Sequence, residues 1–273
     1  MRNKRLIILL SVVAVLVVFV IAGCATFLVR DVEAYGYYQN APADYDAKVI
    51  EAAGIKKNSS MFFIKDSDVK SRIENAYYNV EVINIERKFP DRVSINYVVH
   101  DNAFQYRSGN TYYQCYSSGR IGSSSDAEQF GFFTVKTASA VSTAQGAYFQ
   151  NENGYDRVLV NKFIRYMRTT GKSDWQIADS VRFVDFTRSG YVYIGTVAGC
   201  GVEVRGTGEE FTELLDKGWS AFMKAGSGGT SQVTGVIRVG LGADGEASVV
   251  YSPDSGHYDK YYANADKDEA VGA

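Results

Sequence analysis

Histidine is nearly absent from this 273-residue chain, which holds only His100 and His257. Two histidines so far apart in sequence do not furnish a metal site or a nucleophile–histidine–carboxylate triad. Aspartate and glutamate are plentiful but scattered, with no sign of a convergent carboxylate pair. Cysteine is scarce too: Cys24, Cys115 and Cys200 are too few for a disulfide-stapled scaffold. Cys115 and Cys200 read either as two buried apolar residues or as a pair, and spacing alone does not decide between them. No sign of charge dominates: 29 basic residues face 31 acidic ones, a formal net charge of −2. That balance removes the electrostatic basis for binding nucleic acid.

What is present is globular. Apolar residues make up 46% of the chain and charged ones 22%, which excludes a largely disordered protein. Tyrosine is abundant (20) and proline scarce (3), and together with Val, Ile and Thr this favours half-buried strands. One long apolar run stands out, Leu6–Val29, broken only by Ser11, Gly23 and Thr26. As a helix it measures about 36 Å, slightly more than a bilayer's hydrocarbon core. Arg2, Lys4 and Arg5 precede it, so the positive-inside rule places residues 1–5 in the cytoplasm and the body of the chain outside. A second reading uses Ile21-Ala22-Gly23-Cys24, which matches a lipobox and makes the chain a lipid-anchored binding lipoprotein through Cys24. The apolar run continues past that cysteine to Val29, which favours an uncleaved span.

Behind the run, residues 30–101 read as one α+β domain. An extended segment leads to Gly36. A helix over Asp44–Ala53 places Tyr45, Val49 and Ala52/Ala53 on one face, with Gly54 as its stop. Asp66 or Ser67 caps a second helix carrying Val69, Ile73 and Tyr77 on one side. Two strands follow, Val80–Lys88 and Val93–Asp101, around the turn Phe89-Pro90-Asp91-Arg92. In the second strand Ser94 and Asn96 are expected in solvent, and His100 at its end on the surface.

Residues 102–252 read as a β-rich domain with two helices. Tyr112–Ile121 is a strand, a turn and the start of another strand; Ser123–Gly146 has no clear pattern. Asp156–Thr170 is an amphipathic helix with Val160, Phe163, Ile164 and Met167 at helical spacing. Strands Val181–Thr187, Tyr191–Val197 and Gly199–Val204 precede a helix, Glu209–Lys224, that turns Phe211, Leu214, Leu215 and Phe222 inward. Val233–Leu241 and Glu246–Tyr251 form a last hairpin around Asp244-Gly245. Gly240 to Gly245 fits G-x-G-x-x-G, but a strand-like run follows where a phosphate site needs a helix. Residues 253–273 are polar and read as a flexible tail.

The β-α-α-β-β order resembles a POTRA domain, and more narrowly that of the FtsQ/DivIB family of bacterial cell-division proteins. The likeness lies in Val32-Glu33-Ala34-Tyr35-Gly36, Phe62-Phe63-Ile64-Lys65-Asp66 and Glu86-Arg87-Lys88-Phe89-Pro90-Asp91-Arg92-Val93. It continues in Gly199-Cys200-Gly201-Val202-Glu203-Val204-Arg205-Gly206, Phe211–Leu215 and Thr234-Gly235-Val236-Ile237-Arg238-Val239, which resemble the family's β domain. The chain departs from the pattern after Asp101, where the usual proline is missing, and at Ser117, where an acid is common. The expected fold is therefore α+β: a single N-terminal transmembrane helix (6–29), a POTRA domain (30–101) and an FtsQ-type β domain (102–252). The resemblance implies no reaction and no cofactor or metal. It implies a septal membrane scaffold that binds FtsL-like and FtsB/DivIC-like partners and helps control septal peptidoglycan synthases. In the family the FtsB-type contact lies at the end of the β domain, so the resemblance points by position to Arg238, Ser248, Val249, Val250 and Tyr251.

Overall fold

Val29 has no exposed surface and packs with Met61 and Val93, with Phe27 laid against the same cluster. This contact ties the end of the apolar run to a folded unit. In the computed structural model the described residues are 11–18, 27–37, 44–137, 142–150, 155–171, 174–227 and 233–253. Cys24, His257 and nearly all of the tail expected from residue 253 lie outside them. The chain divides into two compact units, Met1–His100 and Asp101–Ala273.

The first unit contains β1 (Asp31–Gly36), α1 (Tyr45–Ala53), a 3-10 turn (Met61–Phe63), α2 (Asp66–Ala76), β2 (Val80–Lys88) and β3 (Arg92–Val99). Its three strands are ordered β1-β3-β2, with β1 parallel and β2 antiparallel to β3. A parallel neighbour requires a crossover, and the segment holding both helices supplies it. The helices cover one face of the sheet through Val49, Ala53, Val69 and Ile73, packed against Ala34, Val80, Val82, Ile95 and Tyr97. The Tyr97 hydroxyl donates to Asp46 at 2.6 Å, tying β3 to α1. Gly54 ends α1 in the left-handed region, φ 61°, where a Cβ is disfavoured.

Several expectations are corrected here. The transmembrane helix over 6–29 is not what the structure shows. Among the described residues no helix is long and apolar enough to cross a membrane, and the N-terminal helix covers residues 11–18. At the far end of the run, Leu28 bridges Ser60 and Val29 donates its N–H to Ser59, so these residues belong to the first unit. The architecture is mixed α+β with a POTRA-type domain. Neither Asp66 nor Ser67 caps α2, whose flanking residue Lys65 makes no side-chain cap. Asp66 instead receives two bonds from Arg87, at 2.7 and 3.2 Å, while the same guanidinium donates to the Ile64 and Met61 carbonyls. Ser94 is 1% exposed rather than solvated. His100 is not a free surface residue either, since its Nε2 lies 2.8 Å from Glu81 and its side chain is 11% exposed.

The second unit is built on a nine-stranded sheet. In chain order it contains β4 (Asn102–Ser108), β5 (Thr111–Tyr116), β6 (Ile121–Ser125), β7 (Phe133–Lys136), α3 (Tyr155–Thr169), α4 (Asp174–Ile177), β8 (Val181–Asp185), β9 (Tyr191–Thr196), β10 (Cys200–Arg205), α5 (Phe211–Ser227), β11 (Gly235–Leu241) and β12 (Ala247–Ser252). The sheet order is β12-β11-β10-β9-β8-β7-β4-β5-β6. β4, β7 and α4 fall in stretches that the sequence reading left without elements. Both long helices lie on one face: Val160, Phe163, Ile164 and Met167 of α3, with Phe211, Leu214, Leu215 and Trp219 of α5. They share a core with Val192, Ile194, Val202, Val204 and Val239 from the strands. The α5 segment also carries the chain from β10 to its parallel neighbour β11.

Cys115 and Cys200 are both free and buried. Burial pushes the Cys115 thiol well above its ordinary range and the Cys200 thiol up to about 11. Only the thiolate is nucleophilic, so both thiols are chemically quiet near neutrality. Two expectations follow. Val29→Ala should destabilise the first unit by roughly 1–3 kcal/mol, seen in calorimetry of the full chain; an unchanged transition would put the domain's start beyond residue 29. Iodoacetamide at pH 8 should leave Cys115 and Cys200 unmodified in the native chain and alkylate both in denaturant, as read by peptide mass spectrometry.

Candidate functional site

The sheet of the second unit has β12 as its last strand. Its inner side pairs antiparallel with β11, from Leu241↔Ala247 to Val236↔Ser252. The Gly242 N–H donates to the Glu246 carbonyl at 2.7 Å, which sets the alternation of the ladder. Ser248, Val250 and Ser252 turn their backbone groups toward β11, and Ala247, Val249 and Tyr251 turn theirs outward. Among the described residues, no hydrogen bond from outside the hairpin reaches the backbone of β12. Val249, Val250 and Tyr251 are exposed, whereas their neighbours Val239 and Ile237 are buried. The Tyr251 hydroxyl donates to the Thr234 carbonyl at 2.8 Å, which steadies the end of the strand.

Two other edge strands are treated differently. On β2, the Val82 N–H donates to Glu74 at 3.0 Å and its carbonyl accepts from Lys70 at 2.8 Å, both side chains coming from α2. On β6, Ile121 exchanges backbone bonds with Ala147 and Gly146, and the Gln145 amide donates to the Gly122 carbonyl at 2.7 Å. These contacts occupy groups that would otherwise template a further strand.

Arg238 sits on β11 directly opposite Val250. Its guanidinium lies 3.8 Å from Glu203 on β10 and donates to the Ser252 hydroxyl at 3.2 Å. Glu203 also takes Arg205 at 2.6 Å. Register aligns Asp185, Tyr193, Glu203, Arg238 and Val250 in one row across β8 to β12. Two glycines make room on that face: a Cβ on Gly201 would overlap the Tyr193 hydroxyl, and one on Gly195 the Phe183 ring. All five residues singled out from sequence thus lie on β11 and β12. Glu203 and Ser252, which hold Arg238, were missed because strand register is not visible in the chain.

Among the described residues no group of three or more His, Cys, Asp or Glu side chains is placed to hold a metal ion. The Gly240–Gly245 stretch is the β11–β12 turn, with Asp244 accepting the Glu246 N–H at 3.1 Å. A strand follows it, so the helix N-terminus that a phosphate site requires is not there.

Residues 45–97, from the start of α1 to near the end of β3, match the family model of the POTRA domain, FtsQ-type. No curated protein matches the chain. The matched residues include the helix pair, the Arg87 contacts and the β2–β3 hairpin. The chain carries an FtsQ-type POTRA domain, and through it resembles the FtsQ/DivIB family of bacterial cell-division proteins.

Proposed function

We propose that the chain is a non-enzymatic scaffold of the bacterial division septum, holding FtsL-like and FtsB/DivIC-like partners at the membrane and so influencing septal peptidoglycan synthases. The FtsQ-type POTRA domain, a protein-interaction module, supports a division-associated role. The observation that carries the binding reading is the outward row of backbone groups on β12. A partner segment adding there as the tenth strand of this sheet gains main-chain hydrogen bonds, each worth about 0.5–1.5 kcal/mol net. Selectivity then comes from alternate side chains: Val249 and Tyr251 on one face of the added strand, Ser248 and Val250 on the other. Arg238 lies on the row of Val250 and offers a fixed positive charge, because Glu203 and Ser252 hold its guanidinium.

The alternation separates binding from folding. Val249→Pro removes an outward N–H, a position where an edge strand tolerates proline. It should leave thermal unfolding nearly unchanged and weaken capture of an FtsB-type segment by about tenfold or more, near 1.4 kcal/mol. Val250→Pro removes a bond to β11 and should lower stability by roughly 1–3 kcal/mol. Calorimetry and titration of the two variants check this; full-strength capture by Val249→Pro would rule out β12 as the docking strand.

A further inference from the structure

Three phenylalanine rings gather on the surface of the first unit, and a fourth, Phe63, adjoins them in sequence. Phe27, Phe62 and Phe89 come from the lead into β1, the 3-10 turn and the β2–β3 turn. Their ring centroids lie 5.5 Å (Phe27–Phe62), 5.2 Å (Phe27–Phe89) and 6.1 Å (Phe62–Phe89) apart. Such ring packing is normal for a core. Here it faces outward: Phe62 is 53% exposed, Phe89 56% and the adjoining Phe63 78%. The buried layer of Val29, Met61 and Val93 lies within the same segments; Phe27 is partly buried against it, while Phe62, Phe63 and Phe89 are not among the residues packed there. A contiguous exposed apolar patch of this kind marks a contact surface.

The chain itself indicates what covers it. Leu28 bridges Ser60 in antiparallel fashion, and the Met61 N–H donates to the Phe27 carbonyl at 3.0 Å. Followed toward its N-terminus, the chain therefore leaves the first unit on the side of Phe62 and Phe63. Earlier in the chain is the helix over residues 11–18, whose Val12, Val13, Val15, Leu16, Val17 and Val18 are all exposed. A helix apolar on every side calls for an apolar surrounding. Lys65 and Lys88, both exposed, neighbour the patch in sequence, as do Asp66 and Asp91, so the flank is of mixed charge.

We infer that the Phe27, Phe62, Phe63 and Phe89 patch rests in the boundary between lipid headgroups and acyl chains, and so sets the first unit against a membrane surface. The inference is independent of the reading of β12. Aromatic side chains at this depth, about 5–10 Å into the boundary, anchor a protein without crossing the bilayer. The test uses the full chain in phosphatidylethanolamine/phosphatidylglycerol vesicles, with bromine on the acyl chains as quencher. Phe63→Trp reports on the patch. Ile83→Trp, an exposed position roughly 20 Å back along β2, is the control within the same unit. The emission of the parent, which carries Trp175 and Trp219, is subtracted. Phe63→Trp should add a blue-shifted emission that brominated lipid extinguishes, while the emission added by Ile83→Trp stays at the wavelength of water and survives. Unquenched emission from Phe63→Trp overturns the inference. If that emission is blue-shifted only at high protein concentration, the patch pairs with a second copy instead.

Discussion

An open β-sheet leaves a row of backbone donors and acceptors without strand partners at each end, and in the second unit the row that no side chain or loop covers among the described residues is the outer side of β12. The rest of the unit is arranged so that this edge is stiff and correctly turned. α5 crosses from β10 to β11 and so places β11 parallel to its neighbour, leaving the final hairpin to return on the outside. The Gly242–Glu246 bond fixes which residues of β12 face in. The Glu203–Arg238–Ser252 contacts span three strands and resist shear between them. Charges this close to one another and partly shielded are worth more than exposed surface pairs, which contribute little.

The first unit solves the opposite problem. Its β2 edge is closed by Lys70 and Glu74, an i,i+4 pair whose acid is almost buried and whose groups meet both backbone atoms of Val82. Arg87 does similar work at the other end of β2. It binds Asp66 and two carbonyls, so the loop before α2 and the strand cannot separate without leaving several polar groups unpaired. The β2 and β6 edges are thus covered, whereas the β12 edge is left open among the described residues.

Much of this was legible in the chain. The 3.6-residue spacing of Val160, Phe163, Ile164 and Met167 located α3, and alternation located β3 and the last hairpin. β4 and β7 were not legible, because the alternations Phe104-Gln105-Tyr106-Arg107 and Phe133-Thr134-Val135-Lys136 are too short to stand out, and all four residues of β7 are buried although Thr134 and Lys136 are polar. The run from Leu6 misled at its end, since hydropathy cannot distinguish apolar residues facing lipid from Val29 facing Met61 and Val93. Within the candidate site, the position of β12 was readable from order along the chain. The hold on Arg238 was not, because Glu203 is distant in sequence and meets it only through the pairing of β10 with β11.

The rings of Phe183 and Tyr193 occupy the space that side chains at positions 195 and 201 would fill. These four positions are therefore not free to drift one at a time. A larger residue at 201 is acceptable only if 193 has already lost its ring, and the same holds for 195 and 183. Among descendants of this chain, substitutions in the row beside Arg238 would appear as matched pairs, a small-for-large exchange across neighbouring strands, and rarely as single changes.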